Sequence, residues 1–518
     1  MSFILESLQW DESTRTRLLS QSLGKTRCAL STAFSQRQLC SGFCGGKHCI
    51  YCHPYLSPSM RETAIPGLRA TWITTNILAT SRPSSGSIKR FDIIQHFRKN
   101  SIVAVFNLQE AFEHDACGDG VGDSGFSYDP YEFMQQNIYF YNFRWPDYGC
   151  GSVEMILDAV AVMQSSLMHG KVAVHCHAGL GALIACYLVY NNRLSAHEAI
   201  QYVRYKRPGS IQTLLQVQSC QQFEQFIAPF YVIFDVKSNP FTLTAFLRRQ
   251  HNLLHGIERK RLRNIPRILY FCYKRLLALA TGDLPCCSNR RQLMIISQEL
   301  ENSKSTVESG DLRTNPCFES LNNRFLLIGP NGVDELKKLT PEAAKVITAV
   351  LTTQYSKHTD SIAERWKTTL NNRPEGWDLL DREEHDAPVI SKLLFDWLAH
   401  LKSPVIRAQD FHTIDISTTS GVIKAMEPLE TAVACVLILS ARFMVGLGAR
   451  SDIVMMALIK RFVYAFCQID HKFEPGVQLV ASMPCIPRVS PISHDCSNAA
   501  VKLMSILIDF IRAKQYLS

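Results

Sequence analysis

One twenty-residue stretch constrains this chain more than any other: KVAVHCHAGLGALIACYLVY, beginning at Lys171. Its first six residues, KVAVHC, have the length of a strand, and the apolar run Val172-Ala173-Val174 at their centre reads as covered on both faces. Gly179 and Gly181 interrupt the run, and the apolar stretch from Leu183 to Asn191 reads as a buried helix. A strand that enters a helix through a short glycine-bearing loop leaves Cys176 at the helix N-terminus, facing unpaired backbone N–H groups. Such a place attracts anions and favours the thiolate, the nucleophilic form of cysteine. Glycines at 179 and 181 let the backbone curl around a tetrahedral anion.

The surroundings repeat the alternation. SIVAVFNL from Ser101 and NIYFYNF from Asn137 read as two more buried strands, and helical patterns cover Val153–Met168, Ala196–Tyr205 and Leu215–Phe226. Strand–helix alternation predicts an α/β domain over residues 61–236, with a central, mainly parallel sheet flanked by helices. Before it, residues 1–60 form an irregular, Cys-rich extension. After it come an apolar and basic helical extension (237–280), a linker rich in Ser, Asn, Gly and Pro (281–340), and a helical C-terminal domain (341–518) carrying Trp366, Trp377 and Trp397.

A second loop matters for chemistry. RWPDYG sets Trp145, Pro146 and Asp147 just after the strand from Asn137. An aspartate on a loop near a cysteine-bound phosphate can protonate the leaving oxygen and then activate water. Pro146 limits the loop's backbone freedom and Trp145 anchors it to the domain.

Charge and cysteine usage narrow the partners. A net +9 over 518 residues fits acidic or phosphorylated partners and falls short of a nucleic-acid footprint. The stretch from Arg248 to Arg275 is the densest basic segment and reads as a solvated helix face or a surface for phosphorylated partners or anionic lipid. The apolar run from Thr431 to Ala441 is too short to span a membrane and predicts a buried helix. MSFILESLQW lacks the marks of a secretion signal, so reduced thiols in the cytoplasm are expected for the 18 cysteines. Cys40, Cys44, Cys49 and Cys52, with His48 and His53 beside them, offer candidate zinc ligands at irregular spacing. Reduced cysteines packed on the α/β domain are the alternative.

At His175-Cys176 and Trp145-Pro146-Asp147 the sequence resembles the cysteine-dependent protein phosphatases. That superfamily's signature is His-Cys, five residues, Arg, then Ser or Thr, preceded by a Trp-Pro-Asp loop. RPSS from Arg82, NLQ from Asn107, the Glu113–Gly118 stretch, VAVHCHAGLG from Val172, LIACYLV from Leu183, KRPGSIQT from Lys206 and LLHGIE from Leu253 are together similar to the protein tyrosine phosphatase domain-containing protein 1 family. The resemblance implies two-step hydrolysis of phosphotyrosine, with dual specificity as an extension. Cys176 is then the nucleophile, Asp147 the general acid, and His175 the residue orienting the cysteine loop. The backbone of His177, Ala178, Gly179, Leu180, Gly181 and Ala182 holds the phosphate, with Trp145, Pro146, Gln212 and Gln216 as supporting residues. No cofactor or metal is needed for this chemistry. The resemblance also implies phosphorylated proteins as partners, protein–protein contacts for the C-terminal domain, and association with cilia or centrosomes.

Two departures stand out. The family continues HCHAGLG with Arg-Thr-Gly-Val before LIACYL, whereas this chain has Ala182 alone. The family also continues SIQT with Arg-Gly-Gln, whereas Thr213 here runs directly into Leu214-Leu215-Gln216. The phosphate-gripping arginine and its hydroxyl neighbour are missing. Two readings follow: a catalytically dead scaffold that binds phosphoproteins, or a shortened splice or gene-model version of an active phosphatase.

Overall fold

The computed structural model describes residues 46–49, 52–53, 63–145, 149–176, 180–235, 240–282, 334–407, 410, 426, 429–468 and 494–515. The chain divides into two compact units, residues 1–229 and 230–518.

The first unit is built on five strands: β1 (Ala70–Trp72), β2 (Ile77–Ser81), β3 (Ile102–Asn107), β4 (Tyr139–Asn142) and β5 (Lys171–Cys176). Their order across the sheet is β1-β2-β5-β3-β4. β1 runs antiparallel to β2, and every other pairing is parallel. β5 lies in the middle and Val172, Ala173 and Val174 are fully buried, which explains its continuous apolar sequence. The parallel register sets Ser81 of β2 and Cys176 of β5 side by side, with His175 opposite Asn107 of β3. The three strands thus end along one edge, where ligands of open α/β sheets bind.

Helices cover both faces. On one side α1 (Ser85–Arg90) and α2 (Ile93–Lys99) bury Ile88, Ile93 and Phe97 against Leu78, Val105 and Ala173. A single turn, α3 (Tyr131–Met134), adds Phe133 to that layer. On the other side α4 (Val153–Leu167) and α5 (Leu180–Asn192) lie on the sheet, with α6 (Ala196–Lys206) and α7 (Leu214–Ile227) against α5. Every residue of α5 from Leu180 to Tyr190 is buried, so this helix is the middle of the layer. Polar side chains fix the helix starts. Ser152 Oγ accepts from Met155 N at α4, and Ser195 with Glu198 forms a reciprocal cap at α6.

The strands expected near 101, 137 and 171 are β3, β4 and β5. β4 differs from the expected buried strand: it is the sheet edge, and Tyr139 is exposed. β1 and β2 carry no periodic signal in three and five residues, and only their pairing defines them.

The second unit is helical: α8 (Leu243–Leu253), α9 (Gly256–Arg261), α10 (Arg267–Thr281), α11 (Pro341–Leu351), α12 (Lys357–Asn372), α13 (Gly376–Glu383), α14 (Ala387–Ala399), α15 (Thr431–Gly446), α16 (Asp452–Cys467) and α17 (His494–Gln515). The stretch read as a basic extension shares one core with the helices after 334. Tyr273 of α10 stacks on Phe443 of α15 at 4.5 Å, and Phe246 of α8 meets Trp397 of α14 edge-on at 5.0 Å. Part of its positive charge is used inside the unit. Arg275 is buried and its Nη2 donates to Glu384 O at 2.7 Å, while Arg267 lies 4.8 Å over the Trp377 ring. The apolar run from Thr431 is the buried helix α15. Among the described residues no helix is long and apolar enough to cross a membrane.

Candidate active site

Side chains alternate across a strand, so neighbours at the end of β5 have opposite fates. His175 follows the Ala173 face, and its Nε2 lies 2.5 Å from the Tyr128 hydroxyl. Cys176 turns to the other side, toward the start of α5, where Leu180 N–H donates to Cys176 Sγ at 3.0 Å. A first-turn N–H of a buried helix, with no carbonyl four residues back inside the helix, is thereby spent on the sulfur. Such a donor favours negative charge on the thiol.

The shortened loop changes where α5 begins. The helix starts at Leu180, three residues earlier than the sequence pattern suggests. Gly181 was expected to line the anion loop. It sits instead in the first helical turn, and a Cβ there would meet Ser210 Cβ and Ser210 O at 2.7 Å and Ile211 at 2.8 Å. Glycine is required at 181 by the approach of helix and loop. Ala182, standing where the family carries Arg, is 1% exposed inside the helix layer. Gly181 and Ala182 follow Leu180 in the first helical turn. His177, Ala178 and Gly179 lie outside the described residues, as do Pro146 and Asp147.

Trp145 is buried, its backbone N–H donates to Leu108 O at 3.1 Å, and its ring fills the space beside Gly151. It holds the start of the Trp-Pro-Asp loop to the ends of β3 and β4. The two glutamines read as supporting residues hold the loop before α7. Gln216 Oε1 accepts from Gln212 N at 2.8 Å and from Thr213 N at 3.3 Å, closing a cap whose other half is Thr213 Oγ1 accepting from Gln216 N. Gln216 Nε2 is buried and makes no hydrogen bond. Gln212 Nε2 donates to Gly209 O at 2.7 Å. The loss of Arg-Gly-Gln before α7 has been closed by this cap.

Among the described residues of this unit, no other buried arginine takes the missing one's place. In this unit Arg207 Nη1 donates to Arg69 O, Ala79 O and Thr71 Oγ1 at 2.9, 3.0 and 3.3 Å. Burial lowers its pKa to about 10, Arg69 adds to the lowering, and Cys176 opposes it. Arg207 braces β1 and β2. Arg82 is held by Cys52 Sγ and by the carbonyls of Glu113, His114 and Cys117.

Burial lowers the His175 pKa to about 3, with the nearby Arg82 guanidinium adding to the effect. The imidazole is neutral at pH 7, positioned by Tyr128, and serves to hold the strand end. An unfolded histidine titrates near 6.5, so between that value and about 3 the unfolded chain binds the extra proton. Stability from this site is complete above about pH 6.5 and is lost as pH falls toward 3. Urea unfolding of the first unit from pH 7 to 4 is expected to show this loss, and His175→Asn to reduce the slope by about one proton. An identical slope in the variant assigns the acid sensitivity to another group.

Cys49 and Cys52 of the zinc candidates are buried, whereas Cys40 and Cys44 lie outside the described residues. Sequence spacing missed their neighbour, Cys117, which the fold brings to within 4.8 Å of both.

The family model described as protein-tyrosine phosphatase matches residues 122–224. Protein tyrosine phosphatase domain-containing protein 1 of Mus musculus is 45% identical over 275 residues, 52% of this chain and 37% of that protein. The Danio rerio protein of the same name is 42% identical over 273 residues, 51% of this chain and 38% of its own length. The tyrosine-protein phosphatase CDC14 of Candida albicans is 35% identical over 88 residues, 16% of each chain. The match spans about a third of the length of the first two relatives. Over about half of its own length, then, the chain is similar to the protein tyrosine phosphatase domain-containing protein 1 relatives, and within that half it carries a domain of the protein-tyrosine phosphatase fold.

Proposed function

We propose that this domain hydrolyses phosphomonoesters of proteins, phosphotyrosine first and phosphoserine or phosphothreonine with it, at a rate reduced by the missing arginine. The observation that carries the reading is Cys176 at the end of the central strand, its sulfur receiving the Leu180 N–H at the start of α5. The Cys176 thiolate attacks phosphorus, and an S–P bond forms as the bond to the leaving oxygen breaks. Asp147 gives its proton to that oxygen. Water then attacks phosphorus, the S–P bond breaks, and Asp147 takes the proton back as phosphate and thiolate are released. His175 holds the strand end and Trp145 the acid loop. First-turn N–H groups of α5 stabilise the phosphate oxygens. Phosphorylated proteins in the cytoplasm, at cilia or centrosomes, are the substrates, and the second unit supplies protein contacts.

A binding-only scaffold is the second reading. It is favoured by Ala182, whose buried position within α5 leaves no guanidinium for the transferring group. Leaving-group dependence separates the two. Asp147→Asn is expected to lower turnover of a poor leaving group, such as an alkyl phosphate, by at least ~10², and that of an activated aryl phosphate far less. Equal losses for both substrates would remove Asp147 as the acid, and no turnover of either by the parent would favour the scaffold.

A further inference from the structure

Cys49, Cys52 and Cys117 converge from distant parts of the sequence. All three are buried, form a small core of their own, and hold their sulfur atoms within 4.8 Å of one another. We propose that they are thiolate ligands of a structural metal ion, zinc by its chemistry, which staples the chain around 46–53 to the phosphatase domain.

Several independent observations support a built site. Cys49-x2-Cys52 has the spacing of a zinc-binding turn, and the turn is formed: Cys49 N donates to Gly46 O at 3.1 Å and Cys52 N to Cys49 O at 3.2 Å. Tetrahedral zinc with Zn–S bonds of ~2.3 Å sets its sulfurs roughly 3.8 Å apart, a contraction the observed spacing permits. Gly118 has φ +60° and a Cβ there would stand 2.6 Å from Cys52 Cβ, so the loop after Cys117 is shaped to admit the turn. Gly118 N also donates to Gly46 O at 3.0 Å.

Charge makes the same point. Arg82 is 3% exposed, and among the described residues its hydrogen bonds go to Cys52 Sγ at 3.3 Å and to three backbone carbonyls. A buried guanidinium needs a counter-charge. Three thiolates around a divalent cation sum to −1, and Arg82 brings the assembly to zero. His53 stands beside the cluster: the Cβ position at Gly118 is 3.3 Å from Cys52 Sγ and 3.5 Å from His53 Nε2, and that nitrogen lies 3.0 Å from Asp119 Oδ1. The site has a clear structural task. Ser81, the residue before Arg82, is registered against Cys176, so the staple fixes the sheet edge that carries the candidate nucleophile.

The test is metal content of the full chain purified under reducing conditions. About one zinc per chain is expected, with X-ray absorption fitting three or four sulfurs at ~2.3 Å. Cys49→Ser, Cys52→Ser and Cys117→Ser should each lower zinc at least tenfold, while Cys272→Ala, in the second unit, leaves it unchanged. Should the serine variants fail to fold, cobalt substitution of the parent answers the same question through sulfur-to-cobalt charge-transfer absorption, expected for three thiolates. Zinc bound through fewer than three sulfurs, zinc retained by the serine variants, or a metal-free folded protein with a Cys49–Cys52 disulfide would each overturn the proposal.

Discussion

Inserting Arg-Thr-Gly between Gly181 and Ala182 is expected to raise kcat/KM for an aryl phosphate by at least ~10². Arginine meets a phosphate with two parallel charge-assisted hydrogen bonds, and removing one preorganised donor of this kind costs on the order of 10² to 10³ in rate. The shortened loop adds to the deficit, because α5 now starts at Leu180 and draws Gly181 into contact with Ser210. For the same reason the simple substitution Ala182→Arg is not expected to restore activity. Position 182 is 1% exposed inside the helix layer, and a guanidinium placed there is buried without a partner. That variant should unfold at lower denaturant concentration than the parent and gain no rate. Steady-state kinetics on the three proteins make the comparison, and equal rates for parent and insertion variant would show that the arginine argument is wrong.

The centre of the fold was legible because its sequence is unambiguous. Val172, Ala173 and Val174 can be apolar in succession only if both faces are covered, and β5 has β2 and β3 beside it and helices above and below. The start of α5 was not legible. Helix periodicity suggested Leu183, whereas the helix runs from Leu180 and brings Gly181 against Ser210, a long-range approach with no local signal. Gln216 was read only as a supporting residue, and local chemistry says what it supports: a threonine three residues before a glutamine is a capping box. The basic stretch from Arg248 reads locally as a solvated face, yet Arg275 is enclosed by Glu384 and His385, more than a hundred residues away. Cys117 escaped notice as a partner of Cys49 and Cys52 for the same reason.

Cys176→Ser is expected to abolish turnover while leaving phosphopeptide binding within about threefold of the parent. A hydroxyl retains the polarity that a first-turn N–H can meet, but it lacks the acidity and nucleophilicity of the thiol, so the S–P bond cannot form. Loss of an attacking group typically removes nearly all of an active site's chemistry, whereas the groups that hold the substrate remain. Turnover of an aryl phosphate and binding of a phosphotyrosine peptide, measured side by side on the parent and Cys176→Ser, test the cysteine mechanism most directly. Slow turnover in the parent that vanishes in Cys176→Ser with binding preserved is the predicted result, and turnover that persists in Cys176→Ser, or is absent from the parent while binding remains, would contradict it.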